Sequence, residues 1–484
     1  MILLLLLLPL FIGFVFINSN LIKKKNHLQI FSILLSGYCF LYSLLLLILF
    51  NTQVLFYQFI TLIPNFIFKF LENYYIFGLD SLALIFIILT TFLVFLCILY
   101  VQEETDLRNF ISIIFSIEFF LIILFSTLDL FIFFVVFELI LIPVFLLIFN
   151  AGPKPKKTRA GNLLLYYTIL SSILFVVALL LIFQCTGTFN YEYIQNISFD
   201  KTTEQFIWVA FFLAFAAKVP MFPMHIWLPE AHVEAPTVGS VLLAGILLKI
   251  GIFGIIRYNI LLFPETSHYF SDIIQYISTF GVILSSLVVI RQTDLKKALA
   301  YSSIAHMNLI LVGLFTNNIN GIYGAIIQSI GHGLVASALF FIVGILYHKF
   351  NTRSMTELSG SMILLPILST FYLYFSLSNI AFPGTSNFIG EFLLLCSIFE
   401  YNIFLNLICS LSVILSALYT LWLTNRVLYT NNKLQEKLLV FDVNLNEFTI
   451  LFLLLITSLY IGTHGDFLTQ YINLYDFKLI YINL

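Results

Sequence analysis

The stretch AFFLAFAAKVPMFPMHIW (210–227), followed after a short loop by TVGSVLLAGILLKIGIFGIIRY (237–258), belongs to two long apolar runs, each with a lysine near its middle: Lys218 and Lys249. A membrane span needs about 20 predominantly apolar residues. A charge at the bilayer centre costs roughly 2.5–3.5 kcal/mol on insertion scales, so a chain that keeps several is using them, as an ion pathway, a proton relay or a ligand counter-ion. Pro220 and Pro223 lack backbone donors and follow Lys218 almost at once. They predict a helix broken beside the charge, with carbonyls that need water or neighbours. Glu138 adds a third mid-run charge in DLFIFFVVFELILIPVFLLIF (129–149).

Composition extends this reading to the whole chain. With 61% hydrophobic and 10% charged residues and a mean hydropathy of +1.06, there is too little polar surface for a soluble globule of this size. The expected class is an all-α polytopic membrane protein of about 14 spans, near residues 1–18, 28–50, 79–101, 110–126, 128–149, 163–183, 206–226, 237–258, 272–290, 298–316, 319–347, 362–400, 404–428 and 448–463. The twelfth is too long for one straight helix and contains Pro383-Gly384, which predicts a second break. Breaks in the seventh and twelfth spans, five apart, point to two inverted five-helix repeats, a transporter pattern with sites near the midplane. The expected organisation is 1–109 (first three spans and a connection), 110–260 (first repeat), 261–428 (second repeat) and 429–484 (last span and tail). Residues 51–73 read as a connection lying partly along the interface, and 465–484 as an interfacial tail.

Loop charge gives an orientation, since short inner loops collect Lys and Arg. Odd-numbered loops carry Lys23, Lys24, Lys25, Arg108, Lys154, Lys156, Lys157, Arg159, Arg291, Lys296, Lys297, Lys349, Arg353, Arg426, Lys433 and Lys437. Even-numbered loops and the tail carry Lys69, Lys201, Arg257 and Lys478. Both termini are therefore expected on the outer, proton-rich side.

Further ionisable residues lie inside apolar runs. Glu118 is central in ISIIFSIEFFLIILF (111–125), His332 sits between two glycines in GAIIQSIGHGLVASALFF (324–341), and His306 lies nearer one end of its span. Glu391 follows the Pro383-Gly384 break. Lys218 is the natural partner of Glu138; a fixed structural ion pair is the alternative, and the adjacent prolines favour a hydrated, working site. Lys249 has no acidic residue within one turn, so it needs a partner on another helix or a neutral state suited to carrying protons. A lone buried histidine is more often a hydrogen-bonded core residue; beside buried Lys and Glu, an imidazole can pass protons through its two nitrogens. The set reads as a proton relay. Cys39, Cys97, Cys185, Cys396 and Cys409 are scattered singly, with no CxxC pair for an iron–sulfur cluster or zinc. No Gly-rich nucleotide motif occurs. The opening MILLLLLLPLF has no Arg-rich presequence character and is expected to be a true first span.

The run 218–258, with RQTDLKKALAYSSIAHMNLI (291–310), GAIIQSIGHGLVASALFF (324–341) and GTSNFIGEF (384–392), resembles the NADH dehydrogenase subunit 4 family. Its members are antiporter-like, proton-translocating membrane subunits of respiratory complex I. The resemblance covers roughly residues 75–430. It implies that Glu138 of the fifth span pairs with Lys218 of the seventh, that Lys249, His306 and His332 carry the proton onward, and that Glu391 lies at the exit side. It gives Glu118 an auxiliary part, and Glu230, His232 and Glu234 of the signature loop a structural or entry-side one. It implies no cofactor or metal in this chain, the NADH, FMN, iron–sulfur clusters and ubiquinone being handled elsewhere in the complex. Expected partners are other membrane-arm subunits, with subunits 2 and 5 as neighbours, and lipid rather than nucleic acid. The expected location is the mitochondrial inner membrane, ahead of a bacterial plasma membrane. The alternative is a subunit of a multisubunit sodium/proton antiporter, which would share the broken helices and buried Lys/Glu. A haem-b anchor using His306 and His332, or a single-chain nutrient carrier, has thinner support.

Overall fold

The computed structural model describes residues 4–18, 24–54, 57–64, 74–101, 107–150, 154–429 and 441–471. The expected loop residues Lys23, Lys69, Lys433, Lys437 and Lys478, and the tail beyond Tyr471, lie outside the described residues. The fold is predominantly helical. Among the described residues, eleven helices are long and apolar enough to cross a membrane. The remaining expected segments fall on α1, on α9 and on the pair α17–α18, so helix length and composition alone support eleven of the fourteen expected spans.

The described residues form two compact units. The first gathers the residues up to Ala217, together with Phe253–Ser267. It contains α1 (Leu4–Asn18), α2 (Lys25–Leu49), β1 (Gln58–Pro64), β2 (Tyr74–Leu79), α3 (Ser81–Tyr100), α4 (Leu107–Ser126), α5 (Leu130–Leu139), α6 (Leu141–Asn150), α7 (Lys154–Thr186), α8 (Tyr191–Ile194) and α9 (Lys201–Lys218) up to Ala217. The strands pair antiparallel, with Thr61 opposite Phe77 and Ile63 opposite Tyr75. This ribbon occupies part of the segment read as an interfacial connection. Its Ile, Thr, Tyr and Phe side chains suit a pleated, half-buried surface better than a helix.

Two further departures from expectation have local causes. The fifth span is interrupted at Ile140, between α5 and α6. Pro143 lacks the donor that would bond the carbonyl of Leu139, and its ring crowds that carbonyl. Arg257, counted as a loop residue, is only 1% exposed and lies in a π-helical turn, Ile255–Ile260. Its guanidinium forms an ion pair with Asp80 at 2.5 Å and lies over the rings of Phe253, Tyr57 and Tyr191. Asp80 also caps α3, accepting from Ala83 N at 3.0 Å, so one carboxylate joins the eighth span to the start of the third. Around these groups the core is aromatic: Phe175 stacks on Phe211 with ring centres 4.4 Å apart, and Phe133 meets Tyr258 at 4.5 Å.

The second unit comprises Lys218–Ile252 and His268–Gln470. It holds α10 (Trp227–Glu234), α11 (Thr237–Leu242), a π-turn (Leu243–Leu247), α12 (Leu248–Gly254) up to Ile252, α13 (Pro264–Ile290) from His268, α14 (Leu295–Leu314), α15 (Ile319–Phe350), α16 (Ser361–Leu364), α17 (Pro366–Asn379), α18 (Ser386–Tyr401), α19 (Ile403–Thr424), α20 (Leu445–Thr463) and α21 (Asp466–Tyr471) up to Gln470. Helix α15 is the axis of this unit and packs most extensively against α18 and α14. The α15–α18 contact is backbone-close. A Cβ at Gly390 would stand 2.7 Å from Gln328 Cα, and one at Gly331 would stand 2.8 Å from Asn387 Oδ1.

Candidate proton-relay site

Both expected breaks are present as interruptions of helix. Helix α9 ends at Lys218, and α10 begins at Trp227. Lys218 is 5% exposed and is the last residue of α9, where unsatisfied carbonyls favour a cation. In the break, Asn308 Nδ2 donates to Pro220 O at 3.4 Å, giving that carbonyl a partner. The second break separates α17 from α18 and runs through Gly384, whose φ of +89° suits glycine. Glu391 stands on the second turn of α18 and is 5% exposed.

Four of the expected residues come together in the second unit. Lys249 is fully buried, and its Nζ donates to Ala244 O at 2.5 Å, a carbonyl of the Leu243–Leu247 π-turn. Single π-turns inside α-helices often accompany functional sites; here the turn sits directly before the lysine. The same Nζ lies 3.0 Å from His332 Nδ1. The His332 and His306 ring centres are 5.6 Å apart. His306 Nδ1 is 2.9 Å from Glu391 Oε1, which also accepts from Gln328 Nε2 at 3.3 Å. Helices α12, α15, α14 and α18 thus present amine, imidazole, imidazole and carboxylate in series. The close α15–α18 packing at Gly331 and Gly390 sets the spacing of the helices that carry His332 and Glu391.

Glu138 and Glu118 belong to the first unit. Glu138 is half-buried, next to the α5–α6 interruption, and its Oε1 is buried without a hydrogen-bond partner among the described residues. Glu118 is fully buried, and both its carboxyl oxygens lack such a partner. The signature loop around α10 is held by basic side chains. Lys296 Nζ donates to Ala235 O at 2.8 Å, the Arg353 guanidinium donates to Val233 O, and Lys297 pairs with Glu230 at 3.4 Å with both groups about a third exposed. Lys296, expected in a loop, is 4% exposed. His232 is fully buried and stacked on Phe340 at 4.7 Å, and its two ring nitrogens have no partner among the described residues.

Sequence reasoning missed the π-turn before Lys249, because no residue type marks it. It also missed the polar groups that surround Glu391. A cavity of about 10 Å³ opens there, lined by Ser286, His306, Glu391, Ser412, Ser416 and Tyr419.

Residues 127–419 match the family model described as NADH:quinone oxidoreductase/Mrp antiporter, TM. The chain is 42% identical to the NADH-ubiquinone oxidoreductase chain 4 of Chondrus crispus, over 92% of this chain and 90% of that one. It is 43% identical to the chain 4 of Marchantia polymorpha, over 88% and 86%. Its fold is similar to that of a chain in the structure titled "Respiratory complex I from Thermus thermophilus with bound NADH". The TM-score is 0.87 and the identity 26%, covering 99% of this chain and 98% of that one.

Proposed function

Because the chain belongs to the chain 4 family of NADH-ubiquinone oxidoreductase, the antiporter-like membrane subunits of complex I, we propose that it carries protons across the membrane through a relay of buried side chains. The observation that supports this reading is the series Lys249, His332, His306, Glu391, in which two hydrogen-bonded pairs are joined by neighbouring imidazoles. An imidazole takes a proton at one nitrogen and releases one from the other. A proton taken from Lys249 by His332 can therefore leave the far side of that ring toward His306 and be received by Glu391, atoms and charge balancing at each transfer. Glu138 and Lys218 serve as the switching pair: when paired, they favour a charged lysine, and when separated, they drive its proton forward. Moving one charge against 100 mV requires about 2.3 kcal/mol, a sum that a change in pairing equal to about 1.7 pKa units supplies at about 1.36 kcal/mol per unit.

The energy comes from electron transfer to quinone in other subunits of the complex, and the neighbours in the membrane arm are antiporter-like subunits of the same kind. The eukaryotic relatives favour the mitochondrial inner membrane. Relatives named NADH-ubiquinone oxidoreductase chain 4 over 86–92% of the length weigh against the sodium/proton antiporter alternative. The test is NADH-driven proton pumping by assembled complex carrying Glu138→Ala or Lys218→Ala. Loss of pumping supports the relay, and a normal ratio of protons to NADH refutes these two roles.

A further inference from the structure

The His306–Glu391 pair leaves two polar groups beside it unanswered. His306 Nε2 and the Tyr419 hydroxyl are both buried without a hydrogen-bond partner among the described residues, and both residues line the cavity at Glu391. Burying such a group unsatisfied costs about 1–3 kcal/mol, so two around one space mark it for an occupant. The other polar walls are three serines whose hydroxyl hydrogens are already engaged. Ser286 donates to Val282 O at 2.7 Å, Ser412 to Cys409 O at 2.5 Å and Ser416 to Val413 O at 2.8 Å. They can therefore only accept from the cavity. A single water matches this set: it accepts from His306 Nε2–H and Tyr419 O–H, and donates to serine oxygens or to the Glu391 carboxylate. The volume, about 10 Å³, is close to the roughly 10–15 Å³ that one water centre requires.

The position of the cavity gives this water a direction. His306 lies eleven residues into α14, about 16 Å from its start, whereas Ser286 lies four residues, about 6 Å, from the end of α13. Those two helix ends flank the loop bearing Arg291. On α19 the buried polar face continues from Ser412 and Ser416 through Tyr419 and Thr420 to Thr424, at 4–5% exposure for the two threonines, and ends beside Arg426. On α19 the polar wall thus descends from the relay toward the basic-loop end of that helix.

We propose that this cavity binds one ordered water linking His306 Nε2 to the Tyr419 hydroxyl, and that Tyr419 is a further relay residue opening the His306–Glu391 pair to proton exchange with the basic-loop side. The inference rests on the relay reading above. In each uptake, the Tyr419 hydroxyl passes its proton to the water, the water passes one of its own to His306 Nε2, the Nδ1 proton of that ring passes to Glu391, and the tyrosine oxygen regains a proton from solvent at the α19 end. No net charge stays on the tyrosine. The route makes Glu391 answerable to two neighbours, Lys249 through the imidazoles and the basic-loop side through Tyr419.

The experiment compares Tyr419→Phe with Glu391→Gln in assembled complex in sealed membranes, reading NADH-driven proton uptake, turnover and the solvent deuterium effect on turnover. The expected result is that Tyr419→Phe slows coupled turnover by about 10²-fold, the lower end of what a positioned proton-transfer group contributes, and enlarges the deuterium effect, which a purely packing role would leave unchanged. If Glu391→Gln impairs pumping while Tyr419→Phe matches the parent in rate and deuterium effect, the Tyr419 route is overturned and the relay stands. If Glu391→Gln itself pumps normally, the relay reading fails and takes this inference with it. A second measurement needs no variant: a map of the parent complex fine enough to show ordered water should place one within hydrogen-bond distance of both Tyr419 Oη and His306 Nε2. A dry cavity there overturns the proposal.

Discussion

Gly390→Ala drives a wedge into the α15–α18 contact, whose helices carry His332 and Glu391. The added Cβ would lie 2.6 Å from Gln328 Oε1 and 2.7 Å from Gln328 Cα. The side-chain oxygen can swing aside, but the backbone atom cannot. Reaching ordinary contact at 3.4 Å requires α15 and α18 to separate by about 0.7 Å at this level. The Gln328–Glu391 hydrogen bond, already 3.3 Å, would open to about 4 Å and be lost, removing a contact worth roughly 1.5–3 kcal/mol when the acceptor is charged. Overpacking of this size costs about 1–3 kcal/mol of stability, an amount that a large membrane complex can absorb while still assembling. Proton transfer is less tolerant: misplacement by about 1 Å can cost about 10²-fold in rate. The expected outcome is assembled complex whose coupled NADH oxidation falls roughly tenfold or more, measured in sealed membranes and normalised to the amount of complex. Gly37→Ala is the control, since a Cβ there meets only the Phe95 ring at an ordinary 3.6 Å. Parent-like rate and proton yield in assembled Gly390→Ala complex would refute the claim that α15–α18 register sets the relay.

Three other outcomes follow from the same coordinates. Arg257→Leu leaves Asp80 without its 2.5 Å partner; breaking a buried pair costs up to about 3–5 kcal/mol, and because Asp80 is 28% exposed the lower end is expected, seen as reduced complex on native gels with a normal proton yield from what assembles. Lys297→Met removes a pair exposed by a third on both sides, worth at most about 1 kcal/mol, so pumping and assembly should stay within about twofold of the parent. His332→Gln keeps a polar side chain beside Lys249 but loses the nitrogen-to-nitrogen proton path, so turnover should drop while assembly, read on the same gels, holds.

Much of the fold was legible because a membrane imposes its own grammar. Apolar run length and the prolines at 220, 223 and 383 mark helices and their interruptions directly. Pro143 carried the same signal for the α5–α6 interruption, but the surrounding run of Leu, Ile and Phe masked it. Arg257 looked like a loop residue because its partner, Asp80, is distant in sequence and its cage of rings forms only when the chain folds. The β-ribbon was hidden by a Phe-rich composition that suits an interfacial segment equally well. At the candidate site, the residue types were readable as buried ionisable groups in apolar runs. Their order in space was not: the 3.0 Å Lys249–His332 contact and the 2.9 Å His306–Glu391 contact depend on a π-turn and on glycine-mediated helix approach. The serines gave no signal, since hydroxyls are cheap to place in a helix that bonds them back to its own carbonyls, and Tyr419 gave none because the groups around its hydroxyl come from other helices.

The central claim is that Lys249 must release a proton, not merely carry charge. Arginine keeps a cation at that position but stays protonated at any working pH. The deciding measurement is therefore the ratio of protons pumped to NADH oxidised, with the rate, in assembled complex carrying Lys249→Arg. The relay predicts that coupled turnover collapses or that the ratio falls, with the complex intact. Parent-like turnover at the parent ratio would contradict it.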